Sequence, residues 1–275
     1  VDEMMSVSVM FSMCGVNKTR FIDAVKADPQ TYGDWAVGGE WEVTTDGKED
    51  DRFSPFLRKP FKKALEAGLI PDSLATIAGT WGTVSDQGDL TYLNMVHLYL
   101  DGTDPDSLTH GEMAGRKQAM HAVNALQAFM PGCETAKLRN FGMTLGIRDT
   151  RKIEAAYNLT GEDVRGEARF DDSIGIFPEF IDGYGYLILP TTGRYFHVPY
   201  RSMLPKGIKN LIVTGRTLGG DKVSHAAVRN MMCCAVAGQG AGVAAAISVK
   251  SGTDFAEVDV GAVQQELRRQ GARIA

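Results

Sequence analysis

The first hydrophobic pattern in the chain is an alternation. Between Met4 and Met13, Val7, Val9 and Phe11 fall on one side and Ser6, Ser8 and Ser12 on the other, which is the period of a half-buried strand. Its sheet neighbours must come from downstream or from another chain. Lys18 to Ala27 reads as a short helix stopped at Asp28-Pro29, because the residue before a proline is pushed out of the helical region. Residues 28–52 read as loop, with Gly33, Gly38, Gly39 and the pair Trp35 and Trp41. Pro60 to Ala67 is predicted helical, with proline at its start and Gly68 just past its end. Thr80 to Val84 and Leu90 to Leu100 flank the turn residues Asp86 to Asp89 and predict a hairpin. Thr109 to Phe129 predicts a long helix, with Thr109 and Glu112 as a capping box and Pro131-Gly132 as the stop. Ile147 to Tyr157 is expected to begin another short element, and Phe196 to Tyr200, which contains Pro199, reads as an edge strand.

The last hundred residues carry the densest pattern. Asn210 to Thr214 predicts a short buried strand ended by Gly215-Arg216. A loop with Gly219, Gly220, Asp221, Lys222, Ser224 and His225 follows, then a helix of small residues from about Met231 to Val249. Residues 259–270 read as a closing amphipathic helix with Val263 and Leu267 inward. Gly238, Gly240 and Gly242 sit inside the small-residue helix, where each costs up to about 1 kcal/mol against alanine. Such glycines let a sheet or a ligand approach the backbone closely.

Composition narrows the class. The chain has 275 residues, 44% hydrophobic and 23% charged, an ordinary folded protein with room for one large domain or two small ones. The elements predict an α/β protein divided into residues 1–140 and 141–275. A net charge of -5 argues against a nucleic-acid partner. Cys14, Cys133, Cys233 and Cys234 show no CxxC and no zinc spacing, so no metal is expected. They read as free thiols of a reducing compartment. With acidic Asp2 and Glu3 where a signal peptide would be basic, the location expected is cytoplasmic. The longest apolar run, Ala235 to Val249, is interrupted by Gly238, Gln239, Gly240 and Gly242, so no membrane span is predicted.

A dinucleotide-binding fingerprint would read strand, GxGxxG, helix. The chain has none: Gly238-Gln-Gly240-Ala-Gly242 has the wrong spacing in mid-helix, and Gly183-Tyr-Gly185 lacks a third glycine. Several blocks nevertheless resemble one family. They are Val198-Pro-Tyr-Arg-Ser-Met-Leu-Pro through Asn210-Leu-Ile-Val-Thr-Gly-Arg216, and Arg229-Asn-Met-Met-Cys-Cys through Gly238-Gln-Gly-Ala-Gly242. Leu145-Gly-Ile-Arg-Asp-Thr-Arg-Lys-Ile153, Tyr157-x-Leu-Thr-x-x-Asp163, Asp101-Gly-Thr-Asp-Pro-Asp106 and Gly15-Val-Asn17 join them. Together they are similar to the FAD-dependent oxidoreductases, a family related to the flavoprotein subunits of fumarate reductase and succinate dehydrogenase.

The resemblance implies a fold and a set of roles. The fold would be a substrate-type α+β domain followed by the C-terminal half of a Rossmann-like FAD-binding domain. Gly215 and Arg216 would end a strand beneath the FAD. Arg229 would precede the closing helix, and the backbone around Met232, Cys233 and Cys234 would face the flavin pyrimidine edge. Asp221, Lys222, Ser224, Gly238 and Gln239 would complete the cofactor site. The loop departs from the commoner Ser, Thr and His of the family, reading Gly219, Asp221 and Lys222 instead.

Acid and base candidates for a hydride transfer are His225, His197, Tyr195 and Arg148; histidine titrates near neutrality and arginine can hold a carboxylate. A lone histidine is more often a structural, hydrogen-bonded residue. The family's GxGxxG unit has no counterpart, so the ADP half of FAD is expected to be gripped by a second chain, making a heteromer, or by an associated N-terminal fragment. The start at Val1 suits either. The function expected is flavin-dependent oxidation or reduction of a small organic substrate by hydride transfer at N5. The alternative is a non-catalytic subunit that only completes a flavoprotein.

Overall fold

The computed structural model describes residues 4–30, 56–75, 77–183, 186–188 and 193–275. The expected loop with Trp35 and Trp41, and Gly185, lie outside the described residues. Among these residues the protein is a mixture of helix and mainly antiparallel sheet, and it divides into two compact units meeting in sequence at Thr150 and Arg151.

The first unit is built on strand β1 (Val7–Cys14), whose apolar side is buried as the alternation requires. Its neighbours are downstream: β5 (Leu90–Leu98) and β6 (Lys137–Phe141), both antiparallel to it. With β2 (Phe56–Leu57), β3 (Gly79–Thr80) and β4 (Thr83–Val84), the sheet runs β2-β3-β5-β1-β6, and β4 also pairs with β5. The β4–β5 pairing is the hairpin expected around Asp86. Helices α1 (Lys18–Ala27), α2 (Lys59–Glu66) and α3 (Pro105–Phe129) contribute Phe21, Phe61 and Leu126 to one core with Val9, Phe11, Leu93 and Val96.

Two expectations change in this unit. Helix α3 starts one turn before Thr109, with Asp104 as its cap and Pro105 at its first position. Glu112 does not complete a capping box; its carboxylate accepts the Leu145 N–H at 2.9 Å, and Thr109 donates back to the Pro105 carbonyl. Residues 147–150 form no regular element. They follow Gly146, which exchanges hydrogen bonds with Ser8, so the stretch from 141 to 150 belongs to the first unit.

The second unit holds a ribbon of β7 (Ser173–Pro178) and β10 (Tyr195–Pro199), and a second ribbon of β8 (Ile181–Gly183) and β9 (Tyr186–Ile188). Among the described residues four α-helices accompany them: α4 (Gly161–Arg165), α5 (Lys222–Val228), α6 (Met231–Ser251) and α7 (Val260–Arg269). One side of α6 lies on β7. A Cβ on Gly240 would stand 2.7 Å from Ile174 Cδ1, and one on Gly175 would collide with Val236. Val263 and Leu267 of α7 are buried, as their spacing requires. The glycines do not interrupt α6. It is the one helix among the described residues long and apolar enough, by length and composition, to cross a membrane.

Asn210 to Thr214 is the principal departure. The segment forms no strand among the described residues. Leu211 is 42% exposed, and Val213 N–H bonds to the Met203 carbonyl. A strand exists only through its neighbours, and among the described residues none pairs with this segment. Among the described residues of this unit, the one parallel contact is an isolated bridge between Leu159 and Gly220.

Candidate cofactor site

The predicted cofactor residues lie along one stretch, from the end of that unpaired segment to the tip of α6. Gly215 has φ +83°, a conformation glycine adopts without the penalty other residues meet. It starts a single 3-10 turn with Arg216 and Thr217. Gly219 and Gly220 follow where space is absent: a Cβ on Gly219 would stand 2.6 Å from Asn158 Oδ1, and one on Gly220 2.6 Å from Ser224 Oγ. This packing explains why neither position carries a side chain.

Asp221 and Ser224 act as structural ties. Asp221 caps α5 by accepting the Ser224 N–H at 2.8 Å, and its other oxygen accepts the Gly161 N–H at 2.8 Å. Ser224 donates its hydroxyl to the Leu159 carbonyl at 2.7 Å. Their polar atoms are spent holding residues 159–161 against the loop. His225 is buried in α5 beside them, and Lys222 opens the same helix on its exposed side.

Arg229 and Asn230 join α5 to α6. Arg229 reaches back to β8, donating through Nη2 to the Asp182 carbonyl at 2.6 Å and to its carboxylate at 3.2 Å. Its side chain is 12% exposed, and Nε is buried with no hydrogen-bond partner among the described residues. Asn230 stands at the N-cap of α6 but does not cap it. Its amide donates instead to the carbonyls of Ala226 and Ala227, closing α5. Sequence reading overlooked this residue, since an asparagine before a helix signals a cap for the helix that follows.

The tip of α6 is consequently open. The N–H groups of Met231, Met232 and Cys233 have no acceptor among the described residues. No acidic residue occupies the first turn. Met231 and Met232 stand 85% and 72% exposed. Cys233 is buried, which pushes its thiol far up. Cys234 is half-buried; burial raises its thiol, while the nearby charges of Arg216 and Arg229 pull it back down. A helix start of this kind carries about half a positive charge and unsatisfied donors. Gly238 and Gln239 lie on the exposed side of the same helix. Gly238 and Gly242 have no atom within 4 Å of where a Cβ would be, and Gln239 donates to Gln270 at 3.0 Å.

The predicted acid and base residues are divided between the units: Arg148 lies in the first, and Tyr195, His197 and His225 in the second. Arg148 belongs to the first unit, where it donates to the Ser6 carbonyl at 2.8 Å and to Asn94 Oδ1 at 3.3 Å. His197 on β10 is buried, and its Nδ1 is engaged by the backbone of Phe170. Burial pushes its pKa down and Arg169 adds to the effect, so the ring is neutral near pH 7. Tyr195 stacks on His197 and lies under Arg169 and Arg273 at 4.0 and 4.9 Å.

A family model described as FAD dependent oxidoreductase matches residues 1–267. The chain belongs to the FAD-dependent oxidoreductase family, and its cofactor is FAD. No curated protein and no solved structure matches it. The residues at the tip of α6 fit an electron-rich flavin edge: among the described residues the N–H donors are unclaimed and the first turn holds no acid.

Proposed function

We propose that this chain carries the redox end of a flavoprotein oxidoreductase acting on a small organic substrate by hydride transfer at flavin N5. The observation that carries the reading is the uncapped, acid-free start of α6, with Arg216 and Arg229 beside it. FAD, when bound, supplies a two-electron acceptor whose pyrimidine edge gains negative charge on reduction. The residues of this chain do the rest. The N–H groups of Met231, Met232 and Cys233 would hold that edge and favour its reduced form. Gly215 and the open side of α6 leave room for it. The ADP half would be held by polypeptide outside these 275 residues, since no phosphate-binding fingerprint occurs in them.

A second reading, a non-catalytic subunit that completes a flavoprotein, draws on a different observation: Arg148 and His197 are both engaged with backbone groups of their own units. One anaerobic titration separates the two. Under the first reading the native assembly is yellow and bleaches with a small organic reductant, and Met232→Asp weakens FAD retention at least about tenfold by placing a carboxylate at the helix start. A colourless assembly, indifferent to added FAD, leaves only the second.

A further inference from the structure

We infer that an open cleft in the second unit binds a zwitterion of the amino-acid type, a small molecule that carries both an ammonium and a carboxylate. The cleft has a volume of about 310 Å³, at the lower end of the range for small-molecule sites. Arg169, Phe170, Asp171, Asp172 and Arg201 line it, and all belong to that unit. Two arginines and two aspartates meet there, so a plain anion or a plain cation encounters a like charge. The cationic side is Arg201. Its guanidinium lies 5.0 Å from the Tyr157 ring centroid and 5.7 Å from that of Phe170, which hold it against the wall. Nε stands 3.4 Å from Asp172 Oδ2, whereas the terminal nitrogens make no hydrogen bond among the described residues. The side chain is 48% exposed, so that edge is open to a carboxylate, which a guanidinium receives through two parallel donors. Arg169 is spent otherwise: it donates to the carbonyls of Glu167 and Tyr195, and the Glu167 carboxylate stands 3.7 Å away. The anionic side is the aspartate pair. Asp172 accepts the Arg201 N–H at 3.0 Å through Oδ2, and its Oδ1 is shut off from water with no partner among the described residues. Asp171 is exposed; its carbonyl accepts from Gln264, and its carboxylate has no ion-pair partner among the described residues. With Arg169 matched by Glu167, two carboxylates face the one guanidinium of Arg201. An ammonium relieves that excess, and a carboxylate on the same ligand takes the open guanidinium edge. Phe170 supplies the apolar wall for an aliphatic side chain.

Titration calorimetry of the full chain at neutral pH, with three probes of one shape, tests the site: leucine, leucinamide, which lacks the carboxylate, and isocaproate, which lacks the ammonium. Leucine should bind saturably, one per chain, and each of the other two at least about tenfold more weakly, the scale of one hydrogen bond to a charged group. Asp171→Asn should weaken leucine by a similar factor without weakening isocaproate. Arg201→Gln should weaken leucine and isocaproate together, and Arg201→Lys less than Arg201→Gln. Arg201 also packs on two rings, so if Arg201→Gln does not fold, Asp171→Asn and the two analogues decide. No saturable leucine binding up to about 10 mM overturns the inference, and so does leucine binding that Asp171→Asn leaves unchanged. Isocaproate binding as tightly as leucine overturns it in favour of a plain anion site, and leucinamide doing so in favour of a plain cation site. None of the five lining residues belongs to α6, so the outcome is independent of whether flavin is bound.

Discussion

The two units handle their edges differently. In the first, the central strand β1 has a neighbour on each side, and its apolar face is covered by α1 and α3. In the second, the apolar residues Leu211, Ile212 and Val213 pair with no strand among the described residues, and α6 covers β7 with one side while the other faces outward. The first unit satisfies its own sequence pattern. The second carries apolar surface and backbone groups that its described residues leave unmatched, a liability folded proteins normally pair or cover.

Substitutions at matched positions should expose that contrast. Phe11→Ala, in the closed core, should destabilise the chain by about 3–5 kcal/mol, whereas Leu211→Ala should cost no more than about 0.5 kcal/mol in the chain alone. Denaturant melts of the two variants check this, and equal costs would mean that 210–214 is packed after all.

A pH series probes the first unit from another side. Burial, and then the charge of Arg148, lowers His97 to about 4 from 6.5. A neutral imidazole in the fold means that the unfolded chain binds more protons between those values. Stability from this source is therefore fully present above pH 6.5 and is lost as pH falls toward 4, by up to about 3 kcal/mol. Comparing melts of the wild type and His97→Gln at pH 7 and 4.5 isolates it; parallel losses in both would remove His97 as the cause.

Smaller effects are expected in the second unit. Asp221→Ala removes both the α5 cap and the tie to Gly161, and should cost about 1–3 kcal/mol with little direct effect on flavin affinity. Within α6, Gly242→Ala should stabilise the chain alone by up to about 1 kcal/mol, because nothing meets the added methyl. Gly240→Ala should not, because Ile174 is already there. A thermal melt that ranks the two in the opposite order would mean that α6 presents its other side to the core.

What could be read from sequence follows the range of the interactions. Alternation at β1, the stop at Asp28-Pro29 and the inward Val263 and Leu267 depend on near neighbours, and each expected element is present. Asn210 to Thr214 has the composition of a buried strand, yet burial and pairing need partners that composition does not provide. Thr109 and Glu112 have capping-box spacing, but Asp104-Pro105 begins the helix first and Leu145 claims the carboxylate. Asp221 and Ser224, read as cofactor ligands, instead bind residues 159–161, about sixty positions away. The family resemblance put the backbone around Cys233 at a flavin edge, but Asn230 in sequence signals a cap for α6, so its uncapped start was not legible there. That Asn230 turns away from it could be seen only in the fold.

The central claim is that FAD is held jointly, with the α6 tip here and the adenosine end on other polypeptide. Its most direct test is equilibrium binding of FAD to the 275-residue chain alone and to the assembly isolated under native conditions from its source. The account predicts stoichiometric, retained flavin in the assembly and binding weaker by orders of magnitude in the chain alone. Tight, stoichiometric binding by the isolated chain would contradict it.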